Sequence, residues 1–207
     1  LRDASEAVTI PPPGFNWSYA VTEFTLYASS FARGRTRYTP LKRWALRNNK
    51  DCRNGIFSPS TARDANSAFD EGIVGLVGRL AEPINLADAQ KHPSFKRPVA
   101  ADNLHLTLAF LGDVSAEKEK ALSLLAGRIR QSGFTLTLDD AGQWLRSRVV
   151  WLGMRQPPRG LIQLANMLRS QAARSGCFQS NRPFHPHITL LRDASEAVTI
   201  PPPGFNW

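Results

Sequence analysis

Cysteine is almost absent from this chain. Cys52 and Cys177 are the only two in 207 residues. Two are too few for a disulfide framework, and a reducing cytoplasm is the simplest setting expected. No apolar run approaches the roughly 18 residues that a membrane-spanning helix requires, so no membrane partner is expected. The opening Leu1-Arg2-Asp3-Ala4-Ser5-Glu6 has charges and no apolar core, which argues against a secretory leader. The missing initiator methionine fits a processed or artificial start. Metal-ligand clusters are equally scarce. His185-Pro186-His187 could be read as a pair of ligands, but no Asp/Cys/His grouping supports it. Neither a metal nor a cofactor is expected. His185 reads as a residue supporting its neighbour, and His92 as a surface residue.

What the chain has in excess is positive charge. It carries 26 Lys and Arg against 17 Asp and Glu, for a net charge of +9. Arginines gather at 33, 35, 37 and 43, and again at 146, 148, 155 and 159. A basic protein of this size commonly meets a polyanion. Hydrophobic residues make up 42%, enough for a packed core.

One short pattern occurs twice: His105-Leu106-Thr107-Leu108 and His187-Ile188-Thr189-Leu190, 82 positions apart. Polar and apolar residues alternate in each, which is strand periodicity. His105 and Thr107 therefore share one face, and His187 and Thr189 share one. Leu104, Leu106 and Leu108 take the core side. Two His/Thr pairs facing one cleft suit a phosphoryl group, because each imidazole can give or accept a proton and each hydroxyl can hydrogen-bond an oxygen. Opposite protonation states of the two histidines predict a bell-shaped rate profile around neutrality.

The flanks, Asn103 to Gly112 and Pro186 to Arg192, resemble the two signature motifs of the 2H phosphoesterases. Within these the chain resembles the bacterial RNA 2′,3′-cyclic phosphodiesterases, also called 2′-5′ RNA ligases. The resemblance implies an α+β fold: two pseudo-symmetric lobes of antiparallel sheet with flanking helices around a central cleft. It implies a metal-independent enzyme that hydrolyses 2′,3′-cyclic phosphate ends to 2′-phosphates, with a reversible 2′-5′ ligase activity. Its partners would be RNA ends or nucleoside 2′,3′-cyclic phosphates. His105 would protonate the departing 3′ oxygen and His187 would activate water, although the residues themselves do not assign acid and base. Thr107, Thr189 and Arg192 would bind the phosphate. Strict alternation turns Arg192 away from His187, so this role requires the strand to end or bulge near Leu191. The competing readings are an RNA-end-binding module with a compromised site, or an inert folded chain.

The chain order departs from the family's. Residues 1–17 and 191–207 are identical, letter for letter. Natural repeats drift apart, so this duplication reads as an engineered circular permutation with an overlap. The family-like order is 97–207 followed by 18–46, all within one bilobal domain over 1–207. Arg2 is then the duplicate of Arg192 and a second candidate for the phosphate site. Only one copy fits the loop after the His187 strand, unless chains exchange segments in a swapped oligomer. Residues 47–96 match nothing in the family. Within them Ala65 to Leu80 shows helical spacing, weakened by Gly72, Gly75 and Gly78.

Elsewhere the pattern predicts strands at 20–29, 103–111, 134–139, 148–154 and 186–191, and helices at 116–130 and 159–174. Ser115 reads as the N-cap of the first helix and Gly176 as the stop of the second. Phe110, Trp151, Phe184 and Trp17/Trp207 are expected in the core, with one of them available to stack on a base.

Overall fold

The computed structural model describes residues 17–46, 73–78, 99–100 and 103–194. Within them lie nine strands: β1 (Trp17–Val21), β2 (Glu23–Ala32), β3 (Arg35–Ala45), β4 (Ile73–Gly78), β5 (Leu106–Phe110), β6 (Phe134–Leu138), β7 (Asp140–Trp144), β8 (Val149–Gly153) and β9 (His187–Leu191). Two helices accompany them, α1 (Ala116–Gly127) and α2 (Arg159–Arg174). The class is α+β, as expected.

Seven strands form one sheet in the order β3-β2-β4-β5-β9-β8-β7, and β1 pairs with β6 in a separate ribbon. All of these pairings are antiparallel. The two halves of the large sheet, β3-β2-β4-β5 and β9-β8-β7, meet through a single residue pair, Leu106↔Ile188. The two motif strands are thus the innermost strands of the halves. They touch at one point rather than zipping together.

Helix α2 reproduces the expected bounds. Leu161, Leu164, Leu168 and Ala172 are all buried, an i, i+3, i+7, i+11 stripe that fits a 3.6-residue period. They join Leu106, Leu108, Ile188 and Leu190 in one core cluster. At the start of α1 the Lys118 N–H donates to Ser115 Oγ at 3.2 Å, with Glu117 and Glu119 favourably placed in the first turn. Helix α1 stops at Gly127, three residues short of the expected end. After α2, Gly176 takes φ +81°. Its N–H and that of Cys177 return to the carbonyls of Ala173 and Ala172, the arrangement that ends a helix at a left-handed glycine.

Two expectations change, and two strands are added. The strand expected at 20–29 divides at Thr22: β1 joins the ribbon and β2 the large sheet, while the Leu46 N–H donates to the Thr22 carbonyl at the division. Residues 73–78 form a strand rather than part of a helix. Glycines disfavour the helix and β-branched Ile73, Val74 and Val77 favour extended backbone. β4 takes the place between β2 and β5. β3 and β7 were not evident from the pattern. β3 contains Pro40, which cannot donate to a ladder. It is tolerated because β3 is an edge strand and its register with β2 shifts beside Pro40, between Leu26 and Tyr27. The duplicated ends, apart from Trp17 and Leu191 to Ala194, lie outside the described residues, as do Arg2, Cys52, His92, Trp207 and the rest of 47–96.

Candidate active site

Antiparallel register builds the site. The Leu106↔Ile188 pair sets His105 opposite Thr189 and Thr107 opposite His187. Leu106 and Ile188 are buried, while the two histidines and two threonines are half-buried on the opposite face. All four sequence-predicted side chains therefore share one face of the join, each histidine diagonal to the other.

Both motif strands carry the same irregularity. Against β4, Thr107 and Ala109 pair with consecutive residues, leaving Leu108 as the extra residue. Against β8, Thr189 and Leu191 pair with consecutive residues, leaving Leu190 extra. A one-residue bulge inverts the side-chain alternation beyond it. Leu108 and Ala109 are consequently both buried, and so are Leu190 and Leu191. Beyond the bulges, Phe110 and Arg192 emerge as exposed residues at equivalent positions. The bulge that Arg192 required is present one residue before Leu191, where β9 ends. Phe110, expected in the core, is instead 54% exposed.

Second contacts orient the imidazoles. The His105 Nδ1–H donates to the Asn103 carbonyl at 2.5 Å, and the His187 Nδ1–H donates to the His185 carbonyl at 2.7 Å. The repeated i to i−2 bond holds each ring in the Nδ1–H tautomer and leaves Nε2 for proton exchange. Tyr38 packs edge-on to His105 at 4.6 Å between ring centres. Trp144 does the same to His187 at 4.7 Å and to His185 at 5.1 Å. Trp151 lies beneath His185 at 4.7 Å. Its indole has room only because β7 and β8 offer glycine there: a Cβ on Gly142 would sit 2.4 Å from the ring, and one on Gly153 2.9 Å. Tyr38 and Trp144 escaped the sequence reading because β3 and β7 did. His185 contributes its carbonyl and its ring to the neighbourhood of His187. Among the described residues no three of His, Cys, Asp and Glu come together.

Both imidazoles are held below their ordinary pKa of 6.5. Burial is the main cause. The carbonyl hydrogen bonds oppose it, and the positive charge of Arg192 adds to it at both rings. His187 also feels His185, and His105 feels His187. The Arg192 charge thus acts on both histidines. Arg2 has no described position to compare.

The sign for pH follows. An acid/base pair of imidazoles works with one neutral and one protonated, and kcat/KM reports the free protein. With both values lowered, the kcat/KM optimum for a cyclic phosphodiester should lie below about pH 6.5 rather than at neutrality. A bound phosphate's negative charge favours protonated imidazole, so the optimum for kcat should lie higher than that for kcat/KM. Steady-state profiles from pH 4.5 to 9 check this, and a kcat/KM maximum at about pH 7 or above would contradict it. The same lowering makes both groups sources of acid lability. Their contribution to stability is whole above pH 6.5 and is lost as pH falls through the folded-state values.

Residues 78–201 match the sequence profile of the 2'-5' RNA ligase superfamily. The chain belongs to that superfamily. A stretch of 115 residues is 96% identical to the RNA 2',3'-cyclic phosphodiesterase of Escherichia coli K12, covering 56% of this chain and 65% of that protein's length. The crystal structure of E. coli LigT complexed with 3'-AMP superposes with a TM-score of 0.55 at 90% identity, over 60% of this chain and 71% of that one. A stretch of 34 residues, 16% of the chain, is 88% identical to 4% of the E. coli phosphoenolpyruvate-dependent phosphotransferase system protein. The matched residues thus include both motif strands, β6 to β8 and both helices. No helix among the described residues is long and apolar enough to cross a membrane.

Proposed function

We propose that this superfamily member opens RNA 2′,3′-cyclic phosphate ends by metal-independent acid/base catalysis and leaves a 2′-phosphate. One observation carries the reading: the register at Leu106↔Ile188 gathers His105, Thr107, His187 and Thr189 on one face, with Arg192 within electrostatic reach of both imidazoles. Water attacks phosphorus and gives up its proton to Nε2 of neutral His187. The P–O3′ bond breaks, and protonated His105 supplies the proton to O3′. The threonine hydroxyls and Arg192 stabilise the charge that develops on the phosphoryl oxygens. With the 5′-hydroxyl of a second RNA end in place of water, the same ring opening breaks P–O3′ and forms a 2′-5′ bond, and its reverse restores the cyclic phosphate and the free 5′-hydroxyl. The division of roles follows the family resemblance. The geometry is nearly two-fold and serves either assignment.

The chain spans 65% of the length of its E. coli phosphodiesterase relative, so turnover by this chain is the point to test. Hydrolysis of 2′,3′-cyclic AMP in excess EDTA should proceed at the untreated rate and yield 2′-AMP, identified by chromatography. Loss in EDTA with recovery on adding zinc or magnesium would defeat the mechanism. Binding of 2′-AMP without turnover would leave an RNA-end-binding module.

We also read the chain as one bilobal domain in permuted order, 97–207 before 18–46. The pairing of β1 with β6 supports this, since an early strand completes a ribbon with a later one. Matches to two different E. coli proteins in one chain support a composite origin. A segment-swapped oligomer is the arrangement that would use both duplicated ends.

A further inference from the structure

A cavity of about 780 Å³ has His187 and Thr107 of the motif strands in its lining. Arg146, Arg169 and Arg182 line it, with no Asp or Glu among its lining residues. Phe110 and Phe178 line it too, exposed by 54% and 88%. Large apolar side chains that remain this exposed mark a binding surface when they gather in one place. The Gln179 side-chain amide holds the pair together. Its Nε2 donates to the carbonyls of both Phe110 and Phe178, at 2.7 and 2.9 Å. Arg169 is already engaged: it donates to the carbonyls of Ser180 and Arg182 at 2.8 and 3.5 Å and lies 5.8 Å over the Phe184 ring. It thereby shapes the loop before β9. The Arg146 and Arg182 guanidiniums remain for a ligand.

From this we infer that the cavity is a track for single-stranded RNA, holding the nucleotides on the 5′ side of the reacting end. Bases stack on Phe110 and Phe178, while Arg146 and Arg182 meet the backbone phosphates. The choice of RNA rests on the function proposed above. The track itself rests on the cavity: aromatic faces interleaved with unopposed cations are the chemistry that holds a single strand without reading its sequence. The cavity far exceeds what one phosphoryl group fills, and it is continuous with the catalytic face. The bulge at Leu108 explains its position. It turns Phe110 out on the β5 side where the matching bulge at Leu190 turns out Arg192, so one strand offers a base platform and the other an anion contact.

Fluorescence anisotropy with a labelled RNA tetranucleotide ending in a 2′-phosphate tests this. Phe178→Ala should weaken binding on the order of tenfold. The double variant Arg146→Ala/Arg182→Ala should lower the slope of log affinity against log salt by about 1.4, at about 0.7 per phosphate contact on a single strand. In turnover, the ratio of kcat/KM for the cyclic-ended tetranucleotide over 2′,3′-cyclic AMP should fall on the order of tenfold in each variant. A charge-matched control, Arg33→Ala/Arg35→Ala, lies outside the cavity lining and should leave the ratio unchanged. The proposal is overturned if Phe178→Ala binds within twofold of wild type, or if the control weakens binding as much as Arg146→Ala/Arg182→Ala. If the wild type fails to hydrolyse the mononucleotide, the proposed reaction falls, and the anisotropy arm still decides the track.

Discussion

His187→Ala and His105→Ala should each lower kcat on 2′,3′-cyclic AMP by about 10²–10⁴-fold, the usual contribution of a positioned proton-transfer group. Each imidazole is half-buried on the cleft face, and the hydrogen bond it makes is a single one to a carbonyl two residues back. Removing it should therefore affect the chemistry more than the fold. Thermal unfolding should move by no more than a few degrees, which separates lost catalysis from lost structure. The double variant should be scarcely slower than the worse single one, because acid and base act in one step. If either single variant keeps near wild-type turnover, that histidine carries no proton. The pH profiles offer an internal check. With one imidazole gone, the corresponding limb of the bell should vanish from the residual rate.

Arg192→Ala should cost about 10²–10³-fold in kcat/KM, comparable with deleting one donor from a preorganised anion site. Arg2→Ala should have little effect. The bulge at Leu190 turns Arg192 to the catalytic face, and its charge is felt at both histidines. It is also held in place. Asp193 next to it adopts a left-handed φ of 59°, and the Ala194 N–H donates to the Arg148 carbonyl at 3.1 Å. Arg2 precedes β1 in the chain, whereas Arg192 is tethered three residues from Thr189 and so has the higher effective concentration there. Arg192→Lys should recover only part of the rate, since an ammonium cannot make the forked contact of a guanidinium. A worse loss from Arg2→Ala would mean that the N-terminal copy occupies the site. Loss only in the double variant would mean that the copies substitute for one another.

Much of the site could be read from the chain because the information is local. Alternation over five residues assigns a face, so His105, Thr107, His187 and Thr189 were identifiable without knowing how the strands pair. Helix α2 was equally legible, since its apolar stripe repeats over four turns and glycine marks its end. The net charge and the scarcity of cysteine and of apolar runs likewise needed no fold.

Tertiary structure decided the rest, for identifiable reasons. A bulge is a property of two strands, because an extra residue exists only against a partner. The exposure of Phe110 and the direction of Arg192 therefore required β4 and β8 to be in place. β7 became a strand by tertiary context: Asp-Ala-Gly-Gln-Trp shows no clear alternation, and Gly142 is needed where the Trp151 ring lies against the backbone. β3 and β7 have no clear pattern of their own, and with them Tyr38 and Trp144, whose rings pack edge-on against the two imidazoles, are not legible in the sequence. The lowered histidine pKa values were therefore invisible in the sequence, which led to an expected optimum at neutrality. Residues 73–78 show the same limit from the other side. Their spacing suited a helix, but the gap between β2 and β5 made them a strand, because two strands with open edges gain a full ladder of hydrogen bonds from a third.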